Sequence, residues 1–144
     1  MIKGFNHVGI SVVDLQISIE FYREILGMEV VDQIEFGGAQ DESILGLPGA
    51  SGKAAMMRSA SLQIELFEFA YPPPKTKNIR YPVSDHGLSH FCVEVLDIDA
   101  EYRRLKAAGV HFHCPPLHFS DGSSGTYARD PDGNVFELLE LAKS

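Results

Sequence analysis

His7-Val8-Gly9-Ile10-Ser11-Val12-Val13-Asp14-Leu15 and His90-Phe91-Cys92-Val93-Glu94-Val95-Leu96-Asp97-Ile98 are two copies of one phrase. In each, a histidine opens a run rich in β-branched and apolar residues, and an aspartate follows it at the same spacing of seven positions. Such a run suits a pleated, half-buried strand. The aspartate offers a side-chain oxygen to the first free N–H groups of a helix. Behind Asp14, the apolar residues Leu15, Ile19, Tyr22, Ile25 and Leu26 recur at helical spacing and stop at Gly27. Behind Asp97, Ile98, Tyr102 and Leu105 do the same and stop at Gly109. Each copy also ends alike: Ile64-Glu65-Leu66-Phe67-Glu68-Phe69 matches Phe136-Glu137-Leu138-Leu139-Glu140-Leu141.

Repetition on this scale constrains the whole fold before any single element is assigned. The pattern predicts strands over 5–13 and 88–96 and a helix after each. Three strand runs should then follow in each half, at 28–36, 53–60 and 61–69, and at 110–114, 124–130 and 134–141. The expected class is α+β: two βαβββ modules, about 1–70 and 87–144, as pseudo-repeats within one domain spanning 1–144. Asp130-Pro131-Asp132-Gly133-Asn134 reads as the turn between the last two strands. Two aperiodic stretches, 37–52 and 70–87, read as long loops, the second stiffened by Pro72-Pro73-Pro74.

Composition excludes several functions. With 144 residues, 44% of them hydrophobic, the chain can bury a core without staples, and no run approaches the roughly 20 apolar residues of a membrane-spanning helix. Twelve basic against twenty acidic residues leave a net charge of −8, unsuited to nucleic acid or to an anionic membrane surface. Cys92 and Cys114 are widely separated, so reduced thiols and a cytoplasmic setting are expected. Gly46 to Lys53 is not a phosphate loop, because Leu47 stands where its first glycine belongs and Ala54 follows the lysine.

The repeat makes His7 equivalent to His90, and Glu65 to Glu137. Two imidazoles and two carboxylates outline a site for one divalent ion of the first transition row (Ni, Zn, Co, Mn or Fe) rather than for Ca or Mg. Taken singly, each of these residues reads as an ordinary strand residue; it is their joint recurrence that carries weight. Symmetry alone leaves Glu68 and Glu140 open as alternatives, since strand residues three apart point to opposite faces. Phe67 and Phe69 share strand parity with Glu65 and suggest an apolar wall for a substrate, with ordinary core packing as the plainer reading. Tyr127 and Arg129 are candidates to orient or charge-pair a substrate oxygen, and His86, next to the second long loop, is a candidate lid residue. His111, His113, Cys114 and His118 are candidates for a second metal site, since His111 and His113 share a strand face, but read mainly as a strand end with exposed histidines, because Pro115-Pro116 interrupts them.

Three stretches carry a family resemblance. His7 with Asp14-Leu15, Phe21-Tyr22 and Leu26-Gly27, then Gly87-Leu88-Ser89-His90, then Asp130 to Asn134 with Glu137-Leu138, together resemble the vicinal oxygen chelate superfamily. That superfamily includes glyoxalase I, methylmalonyl-CoA epimerase, extradiol dioxygenases and bleomycin-resistance proteins. The resemblance implies a glyoxalase-like fold whose mixed sheet curls into a cup. It also implies His7, Glu65, His90 and Glu137 as metal ligands, with Glu137 as proton carrier and Glu65 as its alternative. The implied activity is a lyase, isomerase or epimerase acting on a small carbonyl compound chelated through vicinal oxygens; a homodimer is expected on a separate ground, since each module alone leaves one sheet face uncovered. A single-module Fe(II) extradiol dioxygenase and a metal-free ligand-binding protein of the antibiotic-resistance type are the alternatives. The glyoxalase I pattern places an arginine four residues after the first histidine and an asparagine four after the first-module glutamate; here Ser11 and Phe69 stand there.

Overall fold

A computed structural model describes residues 1–75 and 77–142. Backbone contacts divide the chain into two compact units, Met1–Thr76 and Lys77–Ser144. The first runs β1 (Val8–Ser11), α1 (Leu15–Leu26), β2 (Glu29–Gly37), α2 (Ala39–Leu45), β3 (Ser51–Arg58) and β4 (Gln63–Tyr71). The second runs β5 (Phe91–Glu94), α3 (Ile98–Ala107), β6 (His111–Phe112), β7 (Leu117–His118), β8 (Ser124–Arg129) and β9 (Val135–Glu140). The two βαβββ repeats are present.

Each unit builds the same mixed sheet. In the first the order is β1-β4-β3-β2, with β1 parallel to β4 and the other pairs antiparallel. In the second it is β5-β9-β8-β6, with β5 parallel to β9 and β7 pairing separately with β8. The registers agree as well: Gly9 lies opposite Glu65, two residues after His7, and Cys92 lies opposite Glu137, two residues after His90.

The helices begin where the sequence places them. Asp14 and Asp97 are extended and accept from the backbone N–H groups of Ile17 and Ala100, both at 2.9 Å. Gly27 closes α1 in the left-handed conformation at φ 64°. Leu15, Ile19 and Tyr22 are buried, as are Ile64, Leu66, Ala55 and Met57 on the strands α1 contacts. In the second unit Ile98 and Leu105 of α3 are buried, as are Phe136, Leu138, Ala128 and Thr126 on one face of β8 and β9. Each of the buried Leu, Ile, Met and Phe side chains contributes about 1.5–3 kcal/mol. Alternation along the strands leaves the opposite face for His7 and Glu65 in one unit and for Glu137 and Tyr127 in the other.

Four expectations are corrected. Strands expected at 5–13 and 88–96 shorten to four residues each, because the parallel ladder to β4 or β9 sets their length. The stretch 37–52 contains α2, whose first turn is braced by Asp41 Oδ2 accepting from the Gly37 N–H at 2.7 Å and whose end is Gly46 at φ 65°. None of its residues is buried, so it carries no apolar period. The end of α3 is capped by Ala108, with Gly109 one place beyond at φ 90°. From Lys77 onward the expected linker belongs to the second unit: Lys77 Nζ donates to Asn134 Oδ1 at 3.0 Å, and Arg129 donates to the carbonyls of Ile79 and Tyr81 at 3.3 and 2.7 Å. Among the described residues no helix is long and apolar enough to cross a membrane.

Candidate metal centre

His7 Nε2 stands 3.2 Å from Glu65 Oε2, and His90 Nε2 stands 3.2 Å from Glu137 Oε2. One register in two sheets thus yields one geometry twice. Each imidazole is held from behind by its preceding neighbour: His7 Nδ1 bonds Asn6 Oδ1 at 2.7 Å, and His90 Nδ1 bonds Ser89 Oγ at 2.9 Å. A hydrogen bond at Nδ1 orients the ring and leaves Nε2 as the coordinating atom, the usual support of a metal-binding histidine.

The fit to an ion can be tested on distance. With metal–nitrogen and metal–oxygen bonds of about 2.1 Å, two adjacent ligand atoms are about 3.0 Å apart in an octahedron and about 3.4 Å apart in a tetrahedron. The two separations of 3.2 Å fall between. Imidazole nitrogen with carboxylate oxygen is also the donor chemistry of zinc and its first-row neighbours. Among the described residues, no group of three or more His, Cys, Asp or Glu side chains is placed to hold a metal ion, so each unit presents a pair.

The other two glutamates have a different job. Glu68 Oε2 accepts from the Leu15 N–H at 2.7 Å, and Glu140 Oε2 accepts from the Ile98 N–H at 2.9 Å. Both carboxylates therefore satisfy the first N–H of a helix on the opposite face of the sheet, where they also suit the positive end of its dipole. Of the glutamates that symmetry left open, Glu65 and Glu137 face the histidines, while Glu68 and Glu140 cap helices.

Around Glu65 the sheet is aromatic. Phe67 and Phe69 stack at 5.9 Å between ring centroids, and Phe36 meets them edge-on at 5.7 and 5.2 Å. A Cβ on Gly9 would lie 3.7 Å from Phe67 Cε2, in ordinary contact, so the phenyl ring lies over the strand next to the His7–Glu65 pair.

Around Glu137 the surface is more polar. Tyr127 pairs with Glu137 across β8 and β9, and its ring lies 4.7 Å from that of His90. Burial, then the charges of Glu137 and Cys92, raise the Tyr127 hydroxyl above its ordinary pKa. Burial and the adjoining Glu137 carboxylate, which accepts the thiol, push Cys92 up to about 11. His113, Leu117, Phe119, Gly125 and Tyr127 line a hollow of about 320 Å³ with Glu137 in its wall. Gly125 keeps it open, since a Cβ there would stand 3.4 Å from Glu137 Oε1 and 3.7 Å from Phe119 Cε2.

Arg129 does not serve as expected. It is buried, and its guanidinium is committed to His113 Nε2 at 3.0 Å and to the carbonyls of Gly133, Ile79 and Tyr81. A cation held by three carbonyl oxygens locks the β8–β9 turn to the segment before β5 instead of meeting a substrate carboxylate. The remaining histidines do not assemble into a second metal site. His118 bonds Ser124 Oγ at 2.8 Å and faces Asp99 at 3.5 Å, while His86 and His111 are exposed. Sequence reading missed Asn6, Ser89, Cys92 and Gly125; the first two could have been found as polar residues directly preceding each repeated histidine.

The profile of the Glyoxalase/Bleomycin resistance protein/Dioxygenase superfamily matches residues 4–138. A 2-epi-5-epi-valiolone epimerase from Actinomyces sp is 31% identical over 145 aligned positions, covering 94% of this chain and 78% of that protein. A lactoylglutathione lyase from Pseudomonas putida is 28% identical, covering 94% of this chain and 84% of its own length. Among solved structures, a glyoxalase family protein from Bacillus cereus superposes with a TM-score of 0.90 at 24% identity, over 99% of this chain and 97% of that one. With its repeated sheets and a profile match running from the first strand to the last, the chain belongs to the glyoxalase/bleomycin resistance protein/dioxygenase superfamily.

Proposed function

We propose that this protein is a metal-dependent lyase or isomerase, epimerases included, that moves a proton next to the carbonyl of a small substrate. The observation that carries the reading is the His–Glu pair built twice, at one register and one separation, each histidine braced at Nδ1. The two pairs, from one chain or from two copies in a homodimer, jointly hold one divalent ion of the Ni, Zn, Co, Mn or Fe group. When bound, the ion supplies Lewis-acid polarisation of the substrate oxygens. Both relatives named above, an epimerase and a lyase, fall in these reaction classes.

The protein's own part is proton handling and enclosure. Glu137 carries the proton: its carboxylate lies in the wall of the hollow, next to space that Gly125 leaves free. Glu65 is the symmetric alternative, but it sits beside a phenylalanine cluster, which suits holding an apolar substrate part. Tyr127, kept protonated by burial and by Glu137, stands ready to donate a hydrogen bond to a substrate oxygen.

Glu137→Gln is the test. The amide oxygen still coordinates, but the proton acceptor is gone, so turnover should fall a hundredfold or more while metal content stays stoichiometric. Metal analysis and incorporation of solvent deuterium at the substrate's α-carbon read the two effects separately. Full turnover by the variant, or oxygen uptake with catechols on iron-loaded protein in place of deuterium exchange, overturns the proposal.

A further inference from the structure

His113 lines the hollow beside Glu137 and receives the Arg129 Nε–H at its Nε2, at 3.0 Å. An imidazole that accepts at Nε2 must, when neutral, carry its proton on Nδ1. Arg129 cannot turn away without cost, because the Gly133 and Tyr81 carbonyls each hold it at 2.7 Å. The guanidinium therefore fixes both the tautomer and the charge of a residue in the hollow's lining, as a buried support fixes a ligating side chain.

We propose that His113 is a specificity-determining residue that offers a neutral Nδ1–H donor in the hollow, which accepts the uncharged, apolar end of a substrate bearing a ketone or ether-like acceptor oxygen. This assignment rests on the reading of Glu137 as the proton carrier for the same substrate. Three features of the hollow select such a group. Leu117 and Phe119 furnish apolar walls. Neither lysine nor arginine is among the residues lining it, and the nearby arginine is spent on backbone carbonyls. Glu137 sets a negative charge in the wall, which disfavours a second carboxylate beside it. Burial and Arg129 also lower the pKa of His113, which keeps the ring neutral at physiological pH.

Acetophenone and benzoate are matched probes, equal in ring and differing in charge. With ¹⁵N-labelled full-length chain, as purified and after loading with Zn(II), Nε2 of His113 should resonate as an unprotonated acceptor and Nδ1 as protonated. Acetophenone should shift the His113 and Tyr127 signals saturably, whereas benzoate should bind at least tenfold more weakly. His113→Phe should weaken acetophenone binding roughly tenfold, the worth of one hydrogen bond. His113→Gln, whose amide can accept from Arg129 and still donate, should recover most of it. Gly125→Val should abolish binding by filling the space. Amide spectra of each variant check that it remains folded. A proton on Nε2, tighter binding of benzoate, or equal affinity of the Phe variant overturns the assignment, as does a wild-type hollow that takes neither probe. Failure of the parent reading looks different: acetophenone then binds through His113, but the protein takes up no metal at His7, Glu65, His90 and Glu137.

Discussion

Glu65 and Glu68 lie three residues apart on one strand, and the contrast between them shows how side-chain parity divides function from stability. Glu65 faces His7, whereas Glu68 holds the first N–H of α1. Glu68→Ala should therefore cost about 1 kcal/mol, read as a lowered midpoint in thermal or urea unfolding, with metal affinity unchanged. Glu65→Ala should do the reverse, weakening metal uptake in a calorimetric titration while leaving the unfolding midpoint of the metal-free protein near that of the wild type. Equal effects of both substitutions on metal affinity would remove Glu65 from the ligand set. His113 gives the residue-scale pH dependence. Its folded pKa lies below the ordinary 6.5, through burial and the adjacent Arg129. Between the folded midpoint and 6.5 the unfolded chain binds more protons than the folded one, so stability should decline as pH falls through that window and level off below it. An NMR titration of His113 should find its midpoint under 6.5, and His113→Gln should remove this share of the acid sensitivity. A midpoint above 6.5 would contradict the assigned contact.

At the scale of elements, the repeated caps make the clearest quantity. Asp14→Ala removes the acceptor for the Ile17 N–H and should destabilise the first unit by about 1 kcal/mol, seen as a drop in its unfolding midpoint. Asp14→Asn should restore most of it; no change in either variant would mean that the cap contributes nothing. Both helices and most strands were legible for related reasons: a cap, an apolar period and a glycine stop agree with one another in Asp14 to Gly27 and nearly so in Asp97 to Gly109. Where that agreement is missing, the sequence is silent. Ala39–Leu45 forms a helix that buries nothing and so leaves no period to read. The ends of β1 and β5 are set by hydrogen bonds to β4 and β9, more than fifty and forty residues away respectively, which local propensity cannot register. The site was legible in its repeated residues and illegible in its supports. No spacing rule joins Arg129 to His113 or to the carbonyl of Tyr81, and the loss of Arg129 as a substrate contact follows from those partners.

For the whole molecule, the proposal that the two pairs share one ion implies thermodynamic coupling. Each unit offers one imidazole and one carboxylate, and two donors hold a divalent ion far more weakly than four. An ion that needs both pairs binds only when both units are folded, so its binding free energy is shared by the two unfolding reactions. Stripped of metal by a chelator, the protein should show a lower and broader thermal transition. Zn(II) or Mn(II) at about a hundred times its dissociation constant adds about 2.7 kcal/mol. For a chain of this length, at about 2–4 °C per kcal/mol, that amounts to a rise of roughly 5–11 °C in Tm. His7→Ala lies in the first unit and His90→Ala in the second, yet each should abolish the whole shift and reduce bound metal from one ion per four-ligand set to a fraction. A shift that survives in one variant and vanishes in the other would place the ion in a single unit, and a melting profile indifferent to metal would leave the pairs as ion pairs within their own sheets.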